Sequence, residues 1–147
     1  MKKIRILNLH KKYRLNEPLI KKVIRRILKF CGRRKKIELG FVFLGDKAIA
    51  AVNKRYKFEG SPTDVLSFDL DAAGEIFISL DRALRNSRIF GTKFEDEITL
   101  YVIHGILHLS GYDDETPRDK RRMSKKQDEI LKYLWKKENL SKVLTPR

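Results

Sequence analysis

Two histidines, His104 and His108, stand four residues apart in the most apolar stretch of the chain, and Asp114 follows six residues later. Side chains four apart on a helix lie one above the other, so both imidazoles are presented in one direction. Gly111 suits the left-handed residue that closes a helix and turns the chain back. Such a turn brings Asp114 beneath the two rings. Two imidazoles and a carboxylate form a three-ligand set for one divalent transition-metal ion, zinc first. Zinc accepts imidazole nitrogen at about 2.0–2.1 Å and carboxylate oxygen at about 2.0–2.2 Å. Three protein ligands leave a position open for water, which is the catalytic form of such a site. A fourth ligand from Asp113 or Glu115 would close it. The competing reading of a histidine on a buried helix is a hydrogen-bonded core residue. Two of the chain's three histidines at this spacing weigh against it.

The frame H-x-x-x-H-x-x-G-x-x-D has the spacing of the metzincin zinc motif, H-E-x-x-H-x-x-G-x-x-H. Gly105 stands where a metalloprotease keeps its general-base glutamate, which argues against peptide hydrolysis by that route.

The segment His104 to Asp114 reads HGILHLSGYDD. With VNKRYK from Val52, PTDVLSF from Pro62 to Phe68 and GEIFIS from Gly74 to Ser79, it makes three ordered blocks over about residues 50–115. These resemble the YbeY family of bacterial metal-dependent endoribonucleases, whose patterns are H-G-x-L-H-L-x-G-Y-D-H, L-N-x-x-Y-R followed by P-T-D-V-L-S-F, and G-D-I-x-I-S. The resemblance implies an α+β fold with a central sheet and a zinc-like ion held by His104, His108 and Asp114. It also implies cleavage of single-stranded RNA, in maturation of the small-subunit ribosomal RNA at its 3′ end and in ribosome quality control. Ribosomal RNA is then the partner, with the small ribosomal subunit and its proteins beside it. Two positions depart from the pattern. Asp114 replaces the third histidine, and Lys57 replaces the arginine that ends the L-N-x-x-Y-R block. Lysine keeps a point charge for a phosphate but loses the bidentate fork. Lys57 is the expected catalytic residue, set against a second phosphoryl oxygen while a bound ion activates water and polarises the first. Apart from the resemblance, a loop lysine among 34 basic residues reads as a solvated surface charge. Thr63 and Ser67 are expected to hydrogen-bond the backbone or the water. Asp64 reads as a loop or capping residue.

The elements that must position these residues follow from periodicity. Residues 3–9 alternate and read as a strand. Asn16 reads as an N-cap with Pro18 in the first turn. Leu19, Ile20, Val23, Ile24, Ile27, Leu28 and Cys31 then form one stripe of a helix, opposite Lys21, Lys22, Arg25, Arg26 and Lys29. Residues 36–44 read as a strand, Asp46 as the cap of a helix to about Tyr56, and residues 57–64 as a loop broken by Gly60 and Pro62. Val65–Leu70 and Glu75–Ser79 form an antiparallel hairpin, after which Ser79 or Asp81 opens a short helix. The segment from Thr92 carries Ile98, Val102, Ile103, Ile106, Leu107 and Leu109, and a helix this apolar is buried. Pro117 to about Lys137 reads as an amphipathic helix with Met123, Ile130, Leu131, Leu134 and Trp135 inward. The order βαβα-ββ-ααα points to one α+β domain over 1–147: a small central mixed β-sheet packed by several helices, with the metal site at the end of a buried central helix. Tyr112 reads as a packing residue with a polar tip, His10 as a surface residue and Cys31 as a core one.

Charge bounds the partners. The chain has 34 Lys and Arg against 19 Asp and Glu, a net +15, and a pI near 10.0. Residues 1–36 hold 15 basic side chains and one acid, a net +14; residues 37–116 carry −6 and residues 117–147 carry +7. Basic flanks around an acidic middle are the footprint of a polyanion binder, although a lysine-rich surface can arise from thermal adaptation alone. A single cysteine allows no internal disulfide and fits a reducing compartment. The N-terminal apolar stretch is too short for a secretory leader, and no run approaches a membrane span. The expectation is a cytoplasmic protein with no membrane partner. Two further functions stay open: a non-catalytic RNA-binding assembly factor with a structural metal, and a metal-dependent hydrolase of another substrate.

Overall fold

The computed structural model describes residues 3–31, 38–57, 65–70 and 72–147, the side chains of 56 and 57 excepted. Strand β1 (Lys3–Asn8), β3 (Glu38–Leu44) and β5 (Ala73–Ser79) run parallel, and β4 (Val65–Leu70) closes the sheet antiparallel to β5, in the order β1-β3-β5-β4. The sheet is therefore mixed, as expected, and the β4–β5 hairpin is present with Leu70 opposite Ala73.

Side chains alternate across a strand, and each face of this sheet has its own cover. Ile4, Leu39, Phe41, Phe43, Ile76 and Ile78 face helices α1 (Glu17–Cys31), α4 (Phe94–Leu109) and α5 (Pro117–Lys137), forming the main core. Leu44, Leu66, Val42, Phe68 and Phe77 form a smaller cluster with Ile49 and Val52 of α2 (Asp46–Lys57). Helix α3 (Leu80–Phe90) starts at Ser79, whose hydroxyl accepts from Arg82 N–H, and ends at Gly91 with φ 66°. The Asn16 side chain accepts from Leu19 N–H and caps α1.

Helix α4 is central because residues 98–109 are apolar except for Thr99 and the two histidines. Ile98, Val102, Ile103, Ile106 and Leu107 are all buried, at about 1.5–3 kcal/mol each for aliphatic side chains. That gross stabilisation lets the helix carry two half-buried histidines. Two glycines set how closely it approaches the sheet. A Cβ on Gly105 would lie 2.7 Å from Ile76 Cγ2, and one on Gly74 would lie 2.6 Å from Leu109 Cδ1.

Several expectations need correction. Strands β2 (Tyr13–Leu15) and β6 (Leu144–Pro146) pair antiparallel in a separate ribbon; three residues each are too few to show alternation. Helix α4 begins at Phe94, not Thr92, whose hydroxyl instead donates to Glu97 Oε1. Asp46 lies in the first turn of α2, but its carboxylate accepts from Ser79 and Arg85. The N–H of Asp46 is held by Asp81 Oδ2, a cap supplied from α3. Lys57 is the last residue of α2 rather than a loop residue, while 36–37 and 58–64 lie outside the described residues. His10 is buried, not exposed. Its Nδ1 accepts from Lys12 N–H, so Nε2 carries the hydrogen donated to Asp81 Oδ1 at 2.7 Å. Cys31 is half-buried against the core. Among the described residues, no helix is long and apolar enough to cross a membrane.

Candidate metal centre

The end of α4 is built by a Schellman turn. Tyr112 N–H donates to Leu107 O at 2.9 Å and Gly111 N–H to His108 O at 3.1 Å, the paired 6→1 and 5→2 bonds of that motif. Gly111 takes φ 97°, where a side chain would be strained. Tyr112 then packs on the core. Asp113 Oδ1 accepts from Asp114 N–H at 2.7 Å and Glu115 N–H at 3.3 Å, holding the next residues in an Asx turn. Thr116 starts α5 by accepting from Asp119 N–H. Every link between His108 and α5 is thus a local hydrogen bond, and their product is a fixed place for the Asp114 carboxylate.

That place is opposite both imidazoles. Asp114 Oδ2 lies 3.5 Å from His104 Nε2 and 3.3 Å from His108 Nε2. The ligand atoms of all three residues fall within 4.8 Å of one another, and they are half-buried. A charge-assisted N–H···O bond would be about 2.7–2.9 Å, so these separations are too long for direct pairing. Four donors about 2.05 Å from a tetrahedral centre stand about 3.3–3.4 Å apart. The Asp114 oxygen therefore stands at ligand spacing from each of the two ring nitrogens. Their chemistry, two imidazole nitrogens and one carboxylate oxygen, suits a divalent transition metal. Among the described residues, this group contains neither Asp113 nor Glu115.

The histidines are further held from behind. Their rings meet edge to face at 4.5 Å between centroids, and His104 Nδ1 bonds Gln127 Oε1 of α5 at 2.6 Å. Sequence reasoning missed Gln127. Met123, Ile130 and Leu134 form the buried stripe of α5, and position 127 falls on that stripe by helical spacing. A polar residue on an apolar stripe is the signal that was available.

Other expected residues divide. Ser67 lies on the α4 side of β4, with its hydroxyl at 3.5 Å from the Gly105 carbonyl, a long contact to backbone. Gly105 is buried against Ile76, leaving no space for a catalytic glutamate. The Lys57 backbone closes α2, and its side chain, like Thr63 and Asp64, lies outside what the structure describes. Arg26 does not belong to a purely solvated face. It bonds Glu138 Oε2 at 2.8 Å, and that hydrogen bond is the main reason its guanidinium pKa is raised. Phe30 of α1 meets Tyr133 of α5 at 5.2 Å between centroids, so the two basic helices lie side by side. Lys22, Arg25 and Lys29 on α1, and Arg118, Lys120, Arg121, Arg122 and Lys125 on α5, remain exposed.

Fold and site together define an α+β domain with a three-donor candidate metal centre at the C-terminal end of its central helix. The profile described as Endoribonuclease YbeY matches residues 5–135, and the chain belongs to the YbeY family. An Endoribonuclease YbeY from Chlorobium luteolum is 34% identical over 127 residues, covering 84% of this chain and 92% of that protein. One from Neorickettsia sennetsu is 36% identical over 119 residues, covering 76% and 83%. The solution structure of TM1509 from Thermotoga maritima superposes with a TM-score of 0.65 at 29% identity, covering 90% of this chain and 89% of its own.

Proposed function

We propose that this chain, as one unit over 1–147, is a cytoplasmic endoribonuclease that cuts single-stranded RNA at a centre formed by His104, His108 and Asp114 around one zinc ion. The observation that carries this reading is the 3.3 and 3.5 Å spacing of Asp114 Oδ2 from the two Nε2 atoms, the edge length of a tetrahedral ligand set. Naming of relatives as endoribonucleases supports the substrate class. When bound, the ion supplies a water of lowered pKa and polarises a phosphoryl oxygen. The chain's own residues do the rest. Imidazole and carboxylate hold the ion with one position open, and the half-buried site limits competing solvent. Exposed bases on α1 and α5 attract the phosphate backbone, a sequence-independent and salt-sensitive term. Lys57 neutralises a second phosphoryl oxygen as charge builds in the transition state. The role assigned is ribosomal RNA processing, at the 3′ end of the small-subunit RNA, and ribosome quality control, with the small subunit and its proteins as partners.

Elemental analysis beside RNA cleavage tests the reading. The purified chain should carry about one transition-metal ion, and chelation should abolish cutting of a single-stranded ribosomal RNA precursor until zinc is returned. Metal uptake with no cutting would leave an RNA-binding assembly factor whose ion is structural. Metal-dependent hydrolysis confined to other substrates would reduce the basic surface to a localisation device.

A further inference from the structure

Gln127 is a half-buried polar residue on the inward stripe of α5, between buried Met123 and Ile130. Its side-chain oxygen lies 2.6 Å from His104 Nδ1, 23 residues away in sequence. A half-buried amide at that position would be costly without a partner, and the partner it has is a candidate ligand. The other nitrogen of the same ring, Nε2, faces Asp114. A carboxamide oxygen only accepts, so the bond requires hydrogen on Nδ1. Nε2 then keeps its lone pair, which is the nitrogen and the form a metal needs.

We infer that Gln127 is a positioning residue for the metal centre: it holds the His104 ring in its Nδ1–H tautomer and aims Nε2 at the ion. This rests on the three-donor reading of the site. The geometry reaches further than orientation. Partners of this kind fix the ring and raise ligand basicity, and a carboxylate does so more strongly than an amide. An amide here adds no charge, leaving Asp114 the single anion among the three ligands and their bonded neighbour Gln127. Site charge is therefore set jointly by residues 114 and 127, on two different elements. Helix α5 thereby becomes part of the centre, the His104–Gln127 bond joining it to the ligand helix beside the Trp135–Asp96 bond. His108, one turn further along α4, has the same face but lies nearer the turn.

The test uses the full chain and zinc as the probe. Zinc affinity is measured by competition with a chromophoric chelator for wild type, Gln127→Met and Gln127→Glu. Methionine keeps the length and apolar fit but accepts no useful hydrogen bond, whereas glutamate keeps the acceptor. Gln127→Met should bind zinc about 10–100-fold more weakly, the usual loss for such a partner. Gln127→Glu should bind at least as tightly as wild type. Histidine 15N spectra of the metal-free chain provide a second readout: His104 should show a protonated Nδ1 in wild type and Gln127→Glu, and a mixture of tautomers in Gln127→Met. A purely packing role would spare Gln127→Met and penalise Gln127→Glu, the reverse order. Zinc affinities within about threefold for all three proteins, with one His104 tautomer throughout, would overturn the inference. A wild type that takes up no zinc while showing the expected tautomer pattern would overturn the metal reading instead, and leave Gln127 a structural acceptor only.

Discussion

Replacing Gly105 with alanine probes the contact that seats the ligand helix on the sheet. The new Cβ would lie 2.7 Å from Ile76 Cγ2, 3.1 Å from Cδ1 and 3.3 Å from Cγ1. Carbon atoms rest about 3.5–4.0 Å apart, so the worst overlap is close to 1 Å. Ile76 is fully buried in the middle of the sheet and has no room to rotate away. Relief must come from α4 backing off β5. Overpacking of this kind costs about 1–3 kcal/mol, and alanine's better helix propensity returns about 1 kcal/mol. The net expectation is a loss of up to about 2 kcal/mol, a fall in Tm of up to about 8 °C for a chain of this length. His104 and His108 flank the contact on the same helix while Asp114 is held by its own turn, so zinc affinity should fall as well. Gly40→Ala is the comparator. Its Cβ would meet Glu75 even more closely, but the atom met is the end of a carboxylate that can swing into solvent. What it would lose is the Arg5–Glu75 surface pair, worth about 0–1 kcal/mol. Thermal unfolding of both variants in chelator gives the comparison. A Gly105→Ala protein at or above wild-type Tm, or one less affected than Gly40→Ala, would refute the idea that this glycine sets the α4–β5 distance.

Neutralising Lys22, Arg25 and Lys29 should weaken RNA binding and flatten its dependence on salt by about one unit of slope for each phosphate no longer neutralised, with metal content unchanged; filter binding from low to high salt checks this. Arg26→Ala should instead lower Tm, because its partner is Glu138. Lys57→Ala should slow single-turnover cleavage by about 10²–10³ with a much smaller change in RNA affinity, and Lys57→Arg should retain or raise the rate. Burial pushes the Asp81 pKa up, but the hydrogen bonds from His10 and Asp46 N–H outweigh it, and the net value lies below the ordinary 3.8. A depressed carboxylate stabilises the fold above its unfolded pKa and loses that contribution as pH falls through the lower folded value; Asp81→Asn should therefore flatten the acid limb of the stability curve in unfolding titrations below about pH 5.

The elements that carry the site were readable because their periodic patterns are long. Helix α5 has the range expected for it, Pro117–Lys137, and the apolar run of α4 identified the central helix. The glycine after the second histidine foretold the turn that returns Asp114 to the rings. What escaped was held by contacts distant in sequence. The β2–β6 ribbon joins residues 13–15 to 144–146. Buried His10 pairs with Asp81, 71 residues away, and no local pattern around a lone histidine reports such a partner. Gln127 escaped for the same reason, although its place on an apolar stripe was visible. The basic stripe of α1 was correctly seen as basic, but Arg26 faces a helix that only the tertiary fold brings near.

The most direct test is a zinc titration of the metal-free chain in which cleavage of a labelled single-stranded ribosomal RNA precursor is followed under single-turnover conditions. The rate should rise in proportion to added zinc, level off at about one equivalent per chain, and stay at background throughout for His104→Ala/His108→Ala. Cleavage that proceeds at full rate without metal, or that survives unchanged in the double variant, would contradict the assignment of catalysis to this centre.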